Sequence, residues 1–257
     1  MPREGEQFNQ TETGDIVEQK VEDIEPDAFS LNSESREALE DLKLRLQDFR
    51  DRLTLSDTQK IPFNEPGSEQ DIAKQMTALQ KERIPQIFKE TDFESSHLTI
   101  HDTQKEKNSC QLASVSIILR ALGIEISEKE IAEEIGKSGE FADVWPDQLV
   151  GYLKNKGLDV VRINNALEAI DILIKGGKIV LFLLPPKYPI SHAVAISGIK
   201  INHGKIEFYV NDPQYKNYAE TLSLDDLTDI IIPYSFNRIT LPYAVLKGEH
   251  YQNQFEK

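Results

Sequence analysis

Two β-strand patterns near the carboxyl end of the chain, joined by a very short connection, constrain the fold more than any other feature. The stretches HAVAISGIKI (192–201) and KIEFYVN (205–211) are rich in β-branched and aromatic residues, and only Asn-His-Gly lies between them. This spacing is typical of an antiparallel β-hairpin. In such a hairpin the start of the first strand lies beside the end of the second strand. His192 is therefore expected beside Asp212, the residue that follows the second strand.

Helical patterns come before this hairpin along the chain, and strands come later, which predicts an α+β fold with an antiparallel sheet. No internal repeat, glycine-rich phosphate loop, HExxH, paired CxxC or GxSxG motif is present. The predicted helices cover about 35–53, 70–83, 111–122, 127–135, 146–157 and 166–175, with a short helix from 223, and further strands are predicted at about 158–163, 178–184 and 238–246.

The first residues differ in composition from the rest of the chain. Nine acidic and two basic residues lie between Met1 and Asp27, with few apolar residues among them. Such a composition cannot offset the entropy of ordering, so we interpret 1–32 as a disordered acidic arm that either solubilises the protein or binds or covers another surface. A helical extension is predicted over 33–95, the main domain over 96–250 and a tail over 251–257.

One apolar stripe runs along the predicted helix at 35–53. Leucine and phenylalanine recur there at steps of three and four residues, the spacing of one helix face. Such a stripe is expected to be buried. It is too short for a long coiled coil, so intramolecular docking onto the downstream domain and self-association are the two alternatives.

Net charge and cysteine content exclude several classes of function. The 257-residue chain has a net charge of −15 and no basic stripe, which argues against nucleic acid and anionic membranes as partners. No apolar run is long enough to span a bilayer, and the first residues lack the apolar core of a signal peptide. The single cysteine excludes an intrachain disulfide and weakens a cysteine-based zinc site, so a cytoplasmic location is expected.

That cysteine, Cys110, immediately precedes the predicted helix at 111–122. The free N–H groups and the dipole at a helix N-terminus favour a thiolate, which suits a nucleophile. A lone cysteine is more often a small buried hydrophobic residue, so the interpretation depends on its neighbours.

Three further side chains supply what a cysteine nucleophile needs. The His192 imidazole can pair with the thiolate and transfer protons, and the Asp212 carboxylate can orient the ring. The Gln104 amide and the Cys110 N–H can form a two-donor oxyanion hole. The structural alternatives are a half-buried histidine, an Asp-Pro turn and an exposed loop glutamine. Asn211 is the weaker orienting candidate because it points to the opposite face of its strand.

In this order the motifs resemble those of the papain-like cysteine peptidases of the double-glycine, or bacteriocin-leader, family, particularly their stand-alone relatives. The matching text is Gln104 with NSCQLASVSIILRALG, then GGKIVLFLL, SHAVAISGI and FYVNDP, over roughly 100–232. The resemblance implies a papain-like fold in which a helical lobe carries the cysteine and an antiparallel sheet carries the histidine and aspartate. It implies Cys110 as nucleophile, His192 as general base and acid, Asp212 as orienting residue and Gln104 as oxyanion donor.

The resemblance also implies a hydrolase that cleaves a peptide or protein substrate and uses no cofactor. This chain departs from the family pattern at Gln111, where glycine commonly follows the cysteine, and its first residues do not predict the signal expected of exported relatives. We therefore do not carry over cleavage after a double glycine. Two alternatives remain open: a deamidase or acyltransferase with the same triad, and a non-catalytic interaction protein on a peptidase-like scaffold.

Overall fold

The computed structural model describes residues 31–59, 69–95, 103–105, 109–137, 144–183, 192–214, 219–235 and 242–247. The helices in these residues are α1 Ser33–Gln59, α2 Glu69–Ile87, α3 Cys110–Ala121, α4 Glu128–Glu134, α5 Pro146–Asn155, α6 Ala166–Ile174 and α7 Leu224–Ser235. The strands are β1 Asp92–Glu94, β2 Leu158–Arg162, β3 Lys178–Leu183, β4 His192–Asn202, β5 Lys205–Asn211, β6 Ala219–Ser223 and β7 Tyr243–Lys247.

The strands of the described residues form one antiparallel sheet in the order β2-β7-β3-β4-β5-β6. Strand β3 pairs with the first half of β4, from His192 to Ile196, and β1 pairs with its other end, at Lys200–Asn202. Strand β4 therefore lies at the centre of the sheet. Its first residue is one of the candidate catalytic residues.

The β4–β5 hairpin forms as predicted, with a tighter turn. Asn202 already pairs with Lys205, so only His203 and Gly204 form the loop. Both have positive φ angles, 47° and 84°, which is the backbone of a two-residue turn that matches the twist of the strands. A Cβ at Gly204 would lie 2.6 Å from the carbonyl oxygen of Pro85, so the turn also requires glycine for space.

Helices cover both faces of the sheet, which explains why β3 is buried along its whole length. Alternate strand residues point to opposite faces: Ile179 and Leu181 belong to a core with α1, α2, α6 and α7, whereas Val180 and Phe182 belong to a core with α3, α4 and α5. Two hydrophobic layers thus enclose the sheet. The mixed helical and antiparallel architecture confirms the predicted α+β class.

The N-terminal helices pack on one of these layers. Leu42 and Leu46 of the α1 stripe are buried in the core that α1 and α2 share with the sheet. Gln80 of α2 is fully buried and accepts a hydrogen bond from the main-chain N–H of Ala166, at 2.8 Å. The stripe is thus at least partly used within the chain. Self-association through 35–53 and a domain boundary at residue 95 stay predictions.

Several elements differ from the sequence-based expectation. Helix α2 continues past Pro85 to Ile87, and the main-chain N–H of Phe88 still donates to the carbonyl oxygen of Ile84, at 3.2 Å. Strands β1 and β6 were not expected. The partner of β1, strand β4, is distant in the sequence, and the partner of β6, strand β5, carries the stronger strand pattern.

No helix in the described residues combines the length and the apolar character that crossing a bilayer requires. The expected tail at 251–257 and nearly all of the expected arm lie outside the described residues.

Candidate active site

Cys110 is the first residue of α3 and is half-buried against the core beneath that helix. The following residues from Leu112 to Leu119 are all buried, so the helix is fixed on β3 and β4 over most of its length. The sulfur therefore sits at a rigidly held helix N-terminus, as the sequence predicted.

His192 begins β4, where it pairs with Leu183 at the end of β3. Its Nε2 lies 2.6 Å from Oδ1 of Asp212, and the two side chains are only 10% and 11% exposed. This is the contact that the sequence predicted, because the start of β4 lies beside the end of β5. Because Nε2 is engaged by the carboxylate, Nδ1 is the ring nitrogen left for Cys110, whose sulfur is near enough to raise the pKa of the imidazole.

The Asp212 carboxylate has two partners at once. Its Oδ1 accepts the main-chain N–H of Gln214 at 2.8 Å, the local bond of an Asp-Pro turn, and it also contacts the imidazole. The turn and the orienting role are therefore compatible, since the turn fixes the carboxylate that faces the ring. Asn211 points elsewhere and donates to the hydroxyl of Ser197, at 2.7 Å.

The charge state of His192 follows from these contacts. Burial lowers the pKa of the imidazole, but the hydrogen bond to Asp212, the negative charge of that carboxylate and the nearby Cys110 sulfur outweigh it, so the pKa rises from 6.5 to about 9. At neutral pH the ring is thus an imidazolium beside a carboxylate and near a sulfur. An imidazolium in this position can stabilise a thiolate and can donate a proton, which are the requirements for attack on a carbonyl group.

Gln104 is joined to this cluster through its main chain. Its N–H donates to the carbonyl oxygen of Pro213 at 2.8 Å, directly after Asp212. The side-chain oxygen is buried, and none of the described residues donates a hydrogen bond to it. No group in the described part of the chain therefore holds the Gln104 amide through that oxygen. The four predicted residues thus lie in one connected region.

The sequence interpretation did not identify a buried carboxylate next to this region, Glu128. It accepts hydrogen bonds from the hydroxyl of Ser109 and the main-chain N–H of Lys105. A signal was present, because Glu128 lies three residues before Ile131 and so shares the apolar face of α4. Within the described ranges, no three His, Cys, Asp or Glu side chains come together as metal ligands.

A model of the Peptidase_C39 like family matches residues 85–229, more than half of the chain. Among solved structures, a C39-like peptidase from Bacillus anthracis has 12% identity and a TM-score of 0.45, with 60% of this chain and 99% of that chain covered.

A second solved structure is the peptidase domain of Streptococcus ComA, a bifunctional ABC transporter involved in a quorum-sensing pathway. It has 14% identity and a TM-score of 0.41, with 56% of this chain and 94% of that chain covered. No curated protein sequence matches significantly. The family match confirms the predicted resemblance: the chain belongs to the Peptidase_C39 like family of cysteine peptidases.

Proposed function

We propose that this chain is a cysteine peptidase that hydrolyses peptide bonds with Cys110 as nucleophile, His192 as acid and base, Asp212 as orienting residue and Gln104 as oxyanion donor. One observation carries the proposal: the His192 imidazole lies 2.6 Å from the Asp212 carboxylate and is near enough to Cys110, at the start of α3, for the sulfur to raise the pKa of the ring. A buried imidazolium with these two partners serves no evident packing purpose.

Acylation follows from the charge state of the pair. The Cys110 thiolate attacks the carbonyl carbon of the scissile amide, and the carbonyl oxygen becomes an oxyanion bound by the Gln104 amide and the Cys110 N–H. The C–N bond breaks as the His192 imidazolium donates its proton to the departing nitrogen. The products of this half-reaction are a free amine and a thioester on Cys110.

Deacylation uses the imidazole that acylation has left neutral. His192 accepts a proton from water, and the hydroxide oxygen attacks the thioester carbonyl carbon at the same oxyanion hole. The C–S bond then breaks, which releases the carboxylic acid product and regenerates the thiolate beside the imidazolium. Asp212 holds the ring orientation through both halves, because it binds Nε2 and leaves Nδ1 toward the sulfur.

The test is to incubate the protein and Cys110→Ala with a proteome-derived peptide library and to identify products by mass spectrometry. The proposal expects new peptide termini with the wild-type protein and none with Cys110→Ala. Conversion of glutamine to glutamate without new termini would indicate the deamidase alternative instead. No covalent change in the peptides would contradict both and favour a non-catalytic scaffold.

A further inference from the structure

We propose that Glu128 is a positioning residue for the oxyanion hole. Its carboxylate holds both ends of the loop between Gln104 and Cys110, and so fixes the two oxyanion donors relative to each other. This inference rests on the proposed peptidase function and adds to it a residue that touches neither the substrate nor the reacting atoms.

The contacts of Glu128 span this loop. Glu128 is the first residue of α4 and is only 3% exposed. Its Oε2 accepts the hydroxyl of Ser109 at 2.8 Å, and its two oxygens lie 3.2 and 3.3 Å from the main-chain nitrogen of Lys105. Lys105 follows Gln104 and Ser109 precedes Cys110, so one carboxylate binds the chain next to each donor.

Gln104 is held from two sides by successive main-chain groups. Its own N–H donates to the carbonyl oxygen of Pro213 at 2.8 Å, and the next N–H, that of Lys105, donates to Glu128. The first bond ties Gln104 to the Asp212 turn, and the second ties it to α4. Two anchors on different elements restrict both the position and the rotation of this peptide, which a side-chain donor needs for a defined direction.

The contact with Ser109 also affects the N-terminus of α3. A serine at this position commonly accepts a hydrogen bond from an N–H of the first helical turn. Here Ser109 makes no such bond and its hydroxyl donates to Glu128. Glu128 thus draws the hydroxyl away from the helix end where an oxyanion would bind. The Ser109 hydroxyl therefore caps none of the N–H groups in the first turn of α3.

The burial of the Glu128 carboxylate indicates that its hydrogen bonds have a specific role. Acidic residues are almost never fully buried without partners, because an unpaired charge loses its hydration. Glu128 occupies the apolar face of α4 with Ile131, where an aliphatic residue would pack without that cost. Its hydrogen bonds to the loop provide the compensation.

The test compares two reactions of the same sulfur. In acylation by p-nitrophenyl acetate, the thiolate attacks a carbonyl carbon, an oxyanion forms, and p-nitrophenolate leaves as the acetyl thioester forms. In alkylation by iodoacetamide, the thiolate displaces iodide from a saturated carbon and no oxyanion forms. A residue that positions the oxyanion hole should affect only the first rate. A residue that supports the thiolate or the fold should affect both rates.

The variants are Glu128→Gln and Ser109→Ala, with Glu130→Gln as the matched control. A glutamine at 128 removes the negative charge and replaces one of the two acceptor oxygens with an NH2 group, so it binds Lys105 and Ser109 more weakly than the carboxylate does. Glu130 lies on the same helix and bonds only locally to Ser127, in an exposed capping box. Its substitution weakens the start of α4 without touching Lys105 or Ser109.

We expect Glu128→Gln to slow acylation by about 10- to 100-fold, as removal or displacement of an oxyanion donor does, and to leave alkylation within about twofold of the wild type. Ser109→Ala should shift the ratio in the same direction by less, and Glu130→Gln should leave it unchanged. Parallel loss of both rates, or unchanged acylation in Glu128→Gln, would overturn the role of Glu128 while the peptidase proposal stands. A wild-type protein that forms no acetyl thioester on Cys110 would overturn both.

Discussion

Replacement of Asp212 by asparagine is predicted to remove a stabilising interaction whose size depends on pH. Asparagine keeps the size of the side chain and an oxygen that can accept the N–H of Gln214, so the turn is preserved. It removes the negative charge from beside the His192 ring nitrogen, which lies 2.6 Å from the carboxylate. The substitution therefore isolates the charge interaction of the pair.

The magnitude follows from the pKa of His192. The rise from 6.5 to about 9 corresponds to on the order of 3 kcal/mol of preferential stabilisation of the imidazolium in the folded state, shared between Asp212 and Cys110 and net of burial. Loss of the carboxylate is thus expected to lower the free energy of unfolding by about 1–3 kcal/mol near pH 6. It should also lower the pKa of His192 toward or below its ordinary value.

The sign of the pH dependence is fixed by the direction of the pKa shift. A group whose pKa is raised on folding contributes its full stabilisation below the unfolded pKa of 6.5, and this contribution is lost as the pH rises through about 9. The difference in unfolding free energy between the wild type and Asp212→Asn should therefore be largest near pH 6. At pH 10 the ring is neutral, and the substitution only weakens its hydrogen bond to the residue at 212, by about 1 kcal/mol or less.

Denaturant unfolding at pH 6 and pH 10 measures this difference, and an NMR titration of the His192 ring measures its pKa directly. Asp159→Asn is the matched control, because it removes the same charge from an exposed position on β2. A difference of equal size at both pH values would refute the reasoning. So would a His192 ring that titrates at the same pH in both proteins.

Two further substitutions test the site and the fold. Gln104→Ala should lower kcat for peptide hydrolysis by about 10²- to 10³-fold with an unchanged thermal midpoint, and a loss below about threefold would argue against an oxyanion role. Gln80→Leu should lower the free energy of unfolding by about 1–3 kcal/mol, because the buried N–H of Ala166 loses its acceptor. The exposed Gln86→Leu on the same helix is its control, and equal effects of the two in denaturant unfolding would contradict this explanation.

The parts of the structure that follow from local chemistry could be predicted from the sequence. The hairpin was predictable because its two patterns and its turn are adjacent, and antiparallel pairing brings His192 at the start of β4 near Asp212 at the end of β5. The register shift between Ile196 and Gly198 was not predicted. The position of Cys110 at the start of α3 was predictable in the same way, since the apolar spacing that defines the helix begins directly after it.

Features that depend on distant contacts could not be predicted. Nothing in β7 indicates that it inserts between β2 and β3, because strand order depends on packing rather than on composition. Lys178 is buried in β3, where a charged residue is unexpected. Its ammonium group donates to the carbonyl oxygen of Ser197 at 2.6 Å, at the irregular pairing between Ile196 and Gly198. Burial lowers the pKa of this lysine to about 8.

The contacts of Glu128 also depend on residues that are distant in the sequence. The capping box Ser127–Glu130 marks where α4 begins, and Glu128 lies three residues before Ile131, on the same face of the helix. Only the tertiary packing of α4 against the start of α3 shows what the carboxylate contacts there. Sequence reasoning thus identified the proposed reacting groups but not the groups that hold them in place.

The most direct test of the central claim is the covalent labelling of Cys110 by a peptidyl vinyl sulfone, an irreversible probe of cysteine peptidases, followed by intact-mass analysis. The account predicts that the native protein gains one probe, that Cys110→Ala gains none, and that His192→Ala reacts at least about tenfold more slowly. The catalytic pair would be contradicted if the native protein stays unlabelled. It would also be contradicted if His192→Ala reacts as fast as the wild type.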